Sequence, residues 1–134
     1  EESAVPLLPF LAWEEGELMQ QAKASAERYN RGESLGILDG VPVAVKDELD
    51  MLPFPTMVGT KFYNTQPPVE DATTVERLRS AGALMVGKTN MHEIGLGVTG
   101  LNTHYGTTRN PHHLDHYPGG SSSGSAAAVA AGLC

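Results

Sequence analysis

The segment that most constrains this 134-residue chain is Pro118-Gly-Gly-Ser-Ser-Ser-Gly-Ser125, which runs without a break into Ala126-Ala-Ala-Val-Ala-Ala131. A Gly/Ser linker would continue polar. This one continues small and apolar on every side, the pattern of a helix buried in a large core with close backbone approach. A single domain of this length offers little room for such a helix, and Gly132-Leu-Cys134 follows where a further element is expected. The glycines fit a tight turn ahead of the helix. They leave unexplained three consecutive hydroxyls, Ser121, Ser122 and Ser123, beside an apolar segment, since buried hydroxyls need partners. An anion site at the helix start is the alternative, but a phosphate loop ends in Gly-Lys-Ser/Thr, whereas Gly124 is followed by Ser125 and Ala126.

Upstream, Trp13 to Arg31 reads as an amphipathic helix, with Leu18, Ala22, Ser25/Ala26 and Tyr29 on one face, Glu14, Glu15 and Glu17 in its first turn, and Gly32 past its end. Gly36 to Gly40 supplies a turn. Val41-Pro-Val-Ala-Val45 is a short β-branched run that predicts a buried strand, which puts Lys46 at a strand's C-terminal end. Pro53, Pro55 and Gly59 break the pattern from Asp47 to Asn64, predicting a long loop and a site wall. A second helix is expected from Ala72 to Ser80, capped by Asp71 and stopped at Gly82, followed by a strand over Ala83-Leu-Met-Val86. Gly87 to Tyr117 reads as loop with a short helix near Met91. Strand, helix, strand and a last helix give an α/β layer fold with a largely parallel sheet, and residues 1–12 form an extended lead-in.

The formal charge of −7 comes with no cluster of Lys or Arg, so nothing would neutralise the phosphates of a nucleic acid, and that partner is excluded. Charged residues make up only 19%, which suggests a surface that is covered. The single Cys134 forms no internal disulfide and points to an intracellular protein. Glu1-Glu-Ser-Ala-Val-Pro6 lacks a basic start followed by an apolar run, and no stretch approaches the ~18 apolar residues of a membrane span.

Lys46 taken alone is most simply a strand-end lysine with its head in solvent. Beside a Ser-rich loop it acquires chemistry. A free lysine has a pKa of about 10.4, and burial next to an apolar strand favours the neutral amine, a usable base in Ser–Lys arrangements. His112, His113 and His116 surround Asp115, but Pro111 and Pro118 bracket them in a loop and no Cys or Glu completes a ligand set, so a surface loop is favoured over a metal site. His92 and His104 have no partner at ligand spacing. Met51, Met57, Met85 and Met91 read as core or pocket lining.

Four motifs then stand in order: Gly40-Val-Pro-Val-Ala-Val-Lys-Asp47, Gly87-Lys-Thr-Asn-Met-His-Glu93, Gly106-Thr-Thr-Arg-Asn-Pro111 and Gly119-Gly-Ser-Ser-Ser-Gly-Ser-Ala-Ala-Ala128. Together they resemble the amidase signature family of C–N hydrolases from about Trp13 to the last residue. Ile37 to Glu48, Leu52-Pro-Phe-Pro55 and Ala131-Gly-Leu-Cys134 resemble its plant-type fatty acid amide hydrolase branch. The resemblance implies a Ser-Ser-Lys triad that cleaves amides without a metal or organic cofactor. Lys46 matches the basic lysine. Ser121 matches the bridging serine, preceded in the family by a cis peptide bond. Gly119, Gly120 and Ser122 match the supporting loop, and Leu96 lies in the segment that lines the acyl pocket.

The same resemblance places the nucleophilic serine and the oxyanion-hole amides in a Gly-Gly-Ser segment beyond Cys134. Residues 1–134 are then the N-terminal portion of one amidase-signature domain, incomplete in this chain. The implied substrate is a lipid amide such as an N-acylethanolamine. The implied partners are the remainder of the domain or other chains, in a homodimer or larger assembly. Peripheral membrane association fits a lipid-amide enzyme, although no segment shows it. The alternative is a catalytically incomplete amidase-derived subunit with a structural or interaction role.

Overall fold

A computed structural model describes residues 5–134. The elements run β1 (Phe10–Trp13), α1 (Glu15–Arg31), β2 (Pro42–Lys46), α2 (Thr73–Ser80), β3 (Leu84–Thr89), a 3-10 turn (Glu93–Gly95) and α3 (Ser123–Ala130). β3 is the central strand of a three-stranded sheet ordered β1-β3-β2. β2 pairs with it in parallel, as expected for the two apolar strands, and β1 adds an antiparallel edge. Phe10 to Ala12 of that edge lie in the expected lead-in, of which residues 1–4 fall outside the described part, and Trp13, expected to open the helix, ends the strand. Among the described residues, no helix is long and apolar enough to cross a membrane.

α1 begins two residues later than its periodicity suggests because Glu14 stays extended and caps it, its carboxylate accepting the Gly16 N–H at 3.0 Å. α2 departs from expectation at its start. Ala72, not Asp71, is its N-cap, and no side chain caps it. The Asp71 carboxylate instead accepts from Arg79 Nε and the Leu52 N–H, at 2.8 and 2.7 Å. A guanidinium makes a charge-assisted bond that outcompetes a neutral cap amide.

β3 runs three residues beyond its expected end, through Gly87, Lys88 and Thr89. Gly87 lies against the Ala12 carbonyl and Trp13, where any Cβ would collide with β1. The residue that looks like a strand terminator is what lets a third strand approach.

On one side of the sheet Val45, Met51, Val75, Ala83 and Met85 form the apolar core, with Val43, Phe54, Ala72 and Leu78 packed against it. α3 packs on β2 and β3. It starts at Ser123, inside the serine run, and turns only one face inward: Ala127 and Ala128 are fully buried, whereas Val129 is 65% exposed. The helix expected to be buried on every side therefore leaves an apolar face uncovered.

The turn into β2 is fixed by Asp39. Its carboxylate accepts from Ser25 Oγ (2.8 Å), Arg28 Nε (2.9 Å) and the Leu35 N–H (3.0 Å), which ties α1 to the Gly36–Gly40 turn. Hydrogen bonding from Arg28, then from Leu35, holds this carboxyl far below the usual carboxylate range, against the opposing effect of burial. A depressed carboxylate contributes stability above its ordinary pKa of about 3.9 and loses it as the pH falls towards the folded value.

Thermal unfolding followed by circular dichroism should therefore show Asp39→Asn melting below the parent protein at pH 7, with the gap closing below about pH 4. Equal midpoints at pH 7 would contradict the assignment. Gly124, in the first turn of α3, touches the Pro9 carbonyl and the Asn90 backbone. Gly124→Ala should cost about 1–3 kcal/mol in a denaturant titration, the range for overpacking a tight site, and a neutral result would mean that α3 does not seat as described.

Candidate active site

Lys46 ends β2, and Ser121 precedes α3. In the parallel register Val45 lies beside Lys88 and Lys46 beside Thr89. The Thr89 hydroxyl is 2.7 Å from Ser125 Oγ, and the Gly124 N–H donates to the Asn90 carbonyl at 2.9 Å. These bonds dock the first turn of α3 on the end of β3. Asn90, fully buried, extends the brace: its N–H donates to the Pro9 carbonyl and its Nδ2 to the Gly106 carbonyl, both at 2.9 Å.

The serine loop is held from both sides. The Ser121 carbonyl accepts the His92 N–H at 2.9 Å, and the Gly120–Ser121 peptide bond is cis, as the resemblance implies. Gly119 has φ +89°, and a Cβ on Gly120 would sit 2.6 Å from the Gly100 nitrogen, so both glycines are required by the path of the backbone. Ser122 is exposed, and its carbonyl accepts the Ala126 N–H at 3.1 Å. Of the N–H groups at the start of α3, that of Gly124 is already taken by the Asn90 carbonyl.

Seventy-five residues apart in sequence, Lys46 and Ser121 meet: Lys46 Nζ lies 2.8 Å from Ser121 Oγ. The Lys46 side chain is only 14% exposed, and its amine also lies 3.2 Å from Glu48 Oε1, whose side chain is 45% exposed. An amine shielded from water and bonded to a hydroxyl can take that hydroxyl's proton when neutral, which is the chemistry of an activated serine.

An apolar cavity of about 390 Å³ is lined by Val58, Thr60, Phe62, Tyr63 and Ile94. Gly95, the residue after the lining residue Ile94, lies near the Lys46–Ser121 pair: a methyl added there would sit 4.0 Å from Ser121 Oγ and 3.7 Å from Glu48 Oε2. Leu96 is 82% exposed and is not part of the lining. The chain turns at Ile94, with φ 56°, so Ile94 and not Leu96 faces the cavity. Phe62 and Ile94 are not singled out by the sequence. The signal for them is the Pro-broken loop, which predicts a wall without identifying which of its side chains form it.

The histidines take separate places. His113 and His116 pack edge to face with ring centroids 4.3 Å apart, in a turn closed by the Asn110 N–H donating to the His116 carbonyl. His104 Nε2 lies 2.8 Å from Glu93 Oε1, and its ring meets Phe62 edge-on. Among the described residues no three His, Cys, Asp or Glu side chains gather as a metal site.

The sequence matches the family model described as Amidase over residues 10–134. It is 52% identical over 131 residues to a fatty acid amide hydrolase of Arabidopsis thaliana, covering 96% of this chain and 22% of that protein. It is 45% identical over 125 residues to one subunit of the glutamyl-tRNA(Gln) amidotransferase of Desulforapulum autotrophicum, covering 93% of this chain and 25% of the other. Among solved structures, a vestigial complex linked to the origins of an s-triazine catabolic enzyme superposes with a TM-score of 0.89 at 42% identity, over 97% of this chain and 29% of that one. The peptide amidase of Stenotrophomonas maltophilia does so with a TM-score of 0.87 at 36% identity, over 96% and 27%. This chain thus spans about a quarter of the length of the proteins it matches. With four ordered motifs, a Lys46–Ser121 contact and a family match over nearly its whole length, the chain belongs to the amidase family.

Proposed function

We propose that the complete polypeptide carrying these residues hydrolyses fatty acid amides, with Lys46 as the base and Ser121 as the proton relay to a nucleophilic serine supplied by a segment downstream of α3. The observation that carries the reading is the 2.8 Å contact between Lys46 Nζ and Ser121 Oγ. Neutral Lys46 takes the Ser121 proton while Ser121 takes that of the nucleophile, whose oxygen attacks the amide carbonyl. The proton returns along the same path to the departing amine, and water then cleaves the acyl ester to release the fatty acid. Gly119 and Gly120 hold the relay serine in place, and Ser122 carries the loop into α3.

The fatty-acyl preference is supported by the apolar cavity, whose lining residue Ile94 is followed in the chain by Gly95 near the serine, and by the 52% identity to a fatty acid amide hydrolase. Each acyl methylene buried there contributes about 0.8 kcal/mol. A second reading, an amidase-derived interaction module, draws on the uncovered apolar face of α3 around Val129. Intact-mass measurement of the mature protein separates the two, because the enzyme requires the nucleophile-bearing segment in the same polypeptide.

Release of free fatty acid from an N-acylethanolamine tests the reaction. In the complete polypeptide, Lys46→Ala and Ser121→Ala should each lower kcat by about 10²–10⁴-fold, with KM changed little. Hydrolysis at the parent rate by either variant would sink the proposal. Ile94→Trp, which fills the cavity, should raise KM for long-chain amides by at least about tenfold while sparing acetamide-sized ones. An equal effect on both would remove the cavity from the acyl-binding role.

A further inference from the structure

Lys88 is the largest fully buried side chain among the described residues, at 1% exposed, and the proton path from Lys46 through Ser121 gives it no part. Its ammonium lies 3.2 Å from Asp47 Oδ1 and donates to Thr56 Oγ1 at 3.0 Å and to the Pro55 carbonyl at 3.3 Å, so each of its three protons has an acceptor. Asp47 is equally buried. Its second oxygen accepts the Gly59 N–H at 2.9 Å, its carbonyl accepts the Val58 N–H at 3.0 Å, and its own N–H donates to the Thr89 carbonyl at 3.3 Å. Burial pulls the Lys88 ammonium below the ordinary lysine range, and Asp47 opposes that shift.

Through these bonds one ion pair joins three segments: the end of β3, the turn leaving β2, and the loop from Pro55 to Gly59. That loop supplies Val58 to the cavity wall, and the Val58 carbonyl accepts the N–H of Ile94, another lining residue, at 3.0 Å. Asp47 is also the residue bonded to Lys46. Side chains alternate across a strand, and the register sets Lys88 beside Val45 while Lys46 sits beside Thr89 on the other face, towards α3. The ion pair therefore grips the backbone from beneath while the Lys46 amine reaches Ser121 above. Contact with that amine is left to Glu48 and Ser121.

We propose that Lys88 and Asp47 are a positioning pair for Lys46, a buried clamp on the end of β2 that keeps the Lys46 amine within hydrogen-bonding distance of Ser121. The inference rests on Lys46 being the base. A displacement of about 1 Å at a catalytic group costs on the order of 10²-fold in rate, so the clamp acts on kcat. Removing one partner strands a buried charge, whereas removing both leaves a smaller defect, so the two single losses do not add.

The test uses the complete polypeptide with Lys88→Met, Asp47→Asn and the double variant, each assayed for kcat and KM on a long-chain amide and crystallised. Lys88→Met should lose about 10²-fold in kcat with KM within about threefold, and its crystal structure should show the Lys46–Ser121 contact broken. Asp47→Asn, which keeps the shape and the Gly59 bond, should fall by about tenfold in kcat, and it carries the test if Lys88→Met does not fold. The double variant should recover part of the Lys88→Met loss. Parent-like kcat in both single variants, a rise confined to KM, or an intact contact in the Lys88→Met crystal would overturn the proposal. Should the parent itself cleave no amide, the assignment of Lys46 as base fails, and the crystal structures still decide whether the pair positions it.

Discussion

The hydrogen bond between Lys46 and Ser121 spans 75 residues of sequence, so it exists only because three longer-range arrangements hold at once. β2 must lie in parallel register on β3, the end of β3 must seat the first turn of α3, and the serine loop must pass close enough to Gly100 for its hydroxyl to face the sheet. Each requirement is met by contacts at the C-terminal edge of the strands, while Val45 belongs to the apolar core around Met51 and Val75 on the face away from Lys46. Stability and chemistry thus occupy different parts of the same sheet, and the residues that join them are the buried polar ones: Thr89, Asn90, Asp47 and Lys88.

Buried polar groups are costly unless satisfied, and here every buried side-chain nitrogen and oxygen of the described residues has a partner. Such a network specifies geometry more sharply than apolar packing does, because a small slip of β3 against α3 would break the Thr89–Ser125 and Gly124–Asn90 bonds together. The uncovered face of α3 belongs to the same picture. A helix whose last five residues are four alanines and a valine has little to gain from water on that side, and the matched proteins extend well beyond the length of this chain.

Much of this is legible in the sequence. Lys46 falls at a strand end because a β-branched run precedes it, and Ser121 stands out because glycines and hydroxyls beside an alanine helix need a reason. Lys88 is not legible, for a definite cause. Gly87 looks like a terminator, and only the approach of β1, about 75 residues upstream, shows that the strand continues past it with Lys88 as a buried member. Asp71 misleads in a similar way: the local pattern is that of a cap, but Arg79, a long side chain at the far end of α2, captures the carboxylate. Leu96 and Ile94 differ by two residues and by one left-handed turn, which sequence periodicity cannot resolve. For Lys88 and Asp71 the missing information is a contact with a residue elsewhere in the chain, and the local rule is sound; for Ile94 it is a backbone turn.

If Lys46 and Ser121 activate a serine other than Ser121, that serine can be found directly, by treating the complete polypeptide with a fluorophosphonate and mapping the adduct to a peptide. One phosphonylated serine downstream of α3 is expected, with labelling slowed in Lys46→Ala and Ser121 unmodified. An adduct on Ser121, or downstream labelling at an unchanged rate without Lys46, would contradict the assignment.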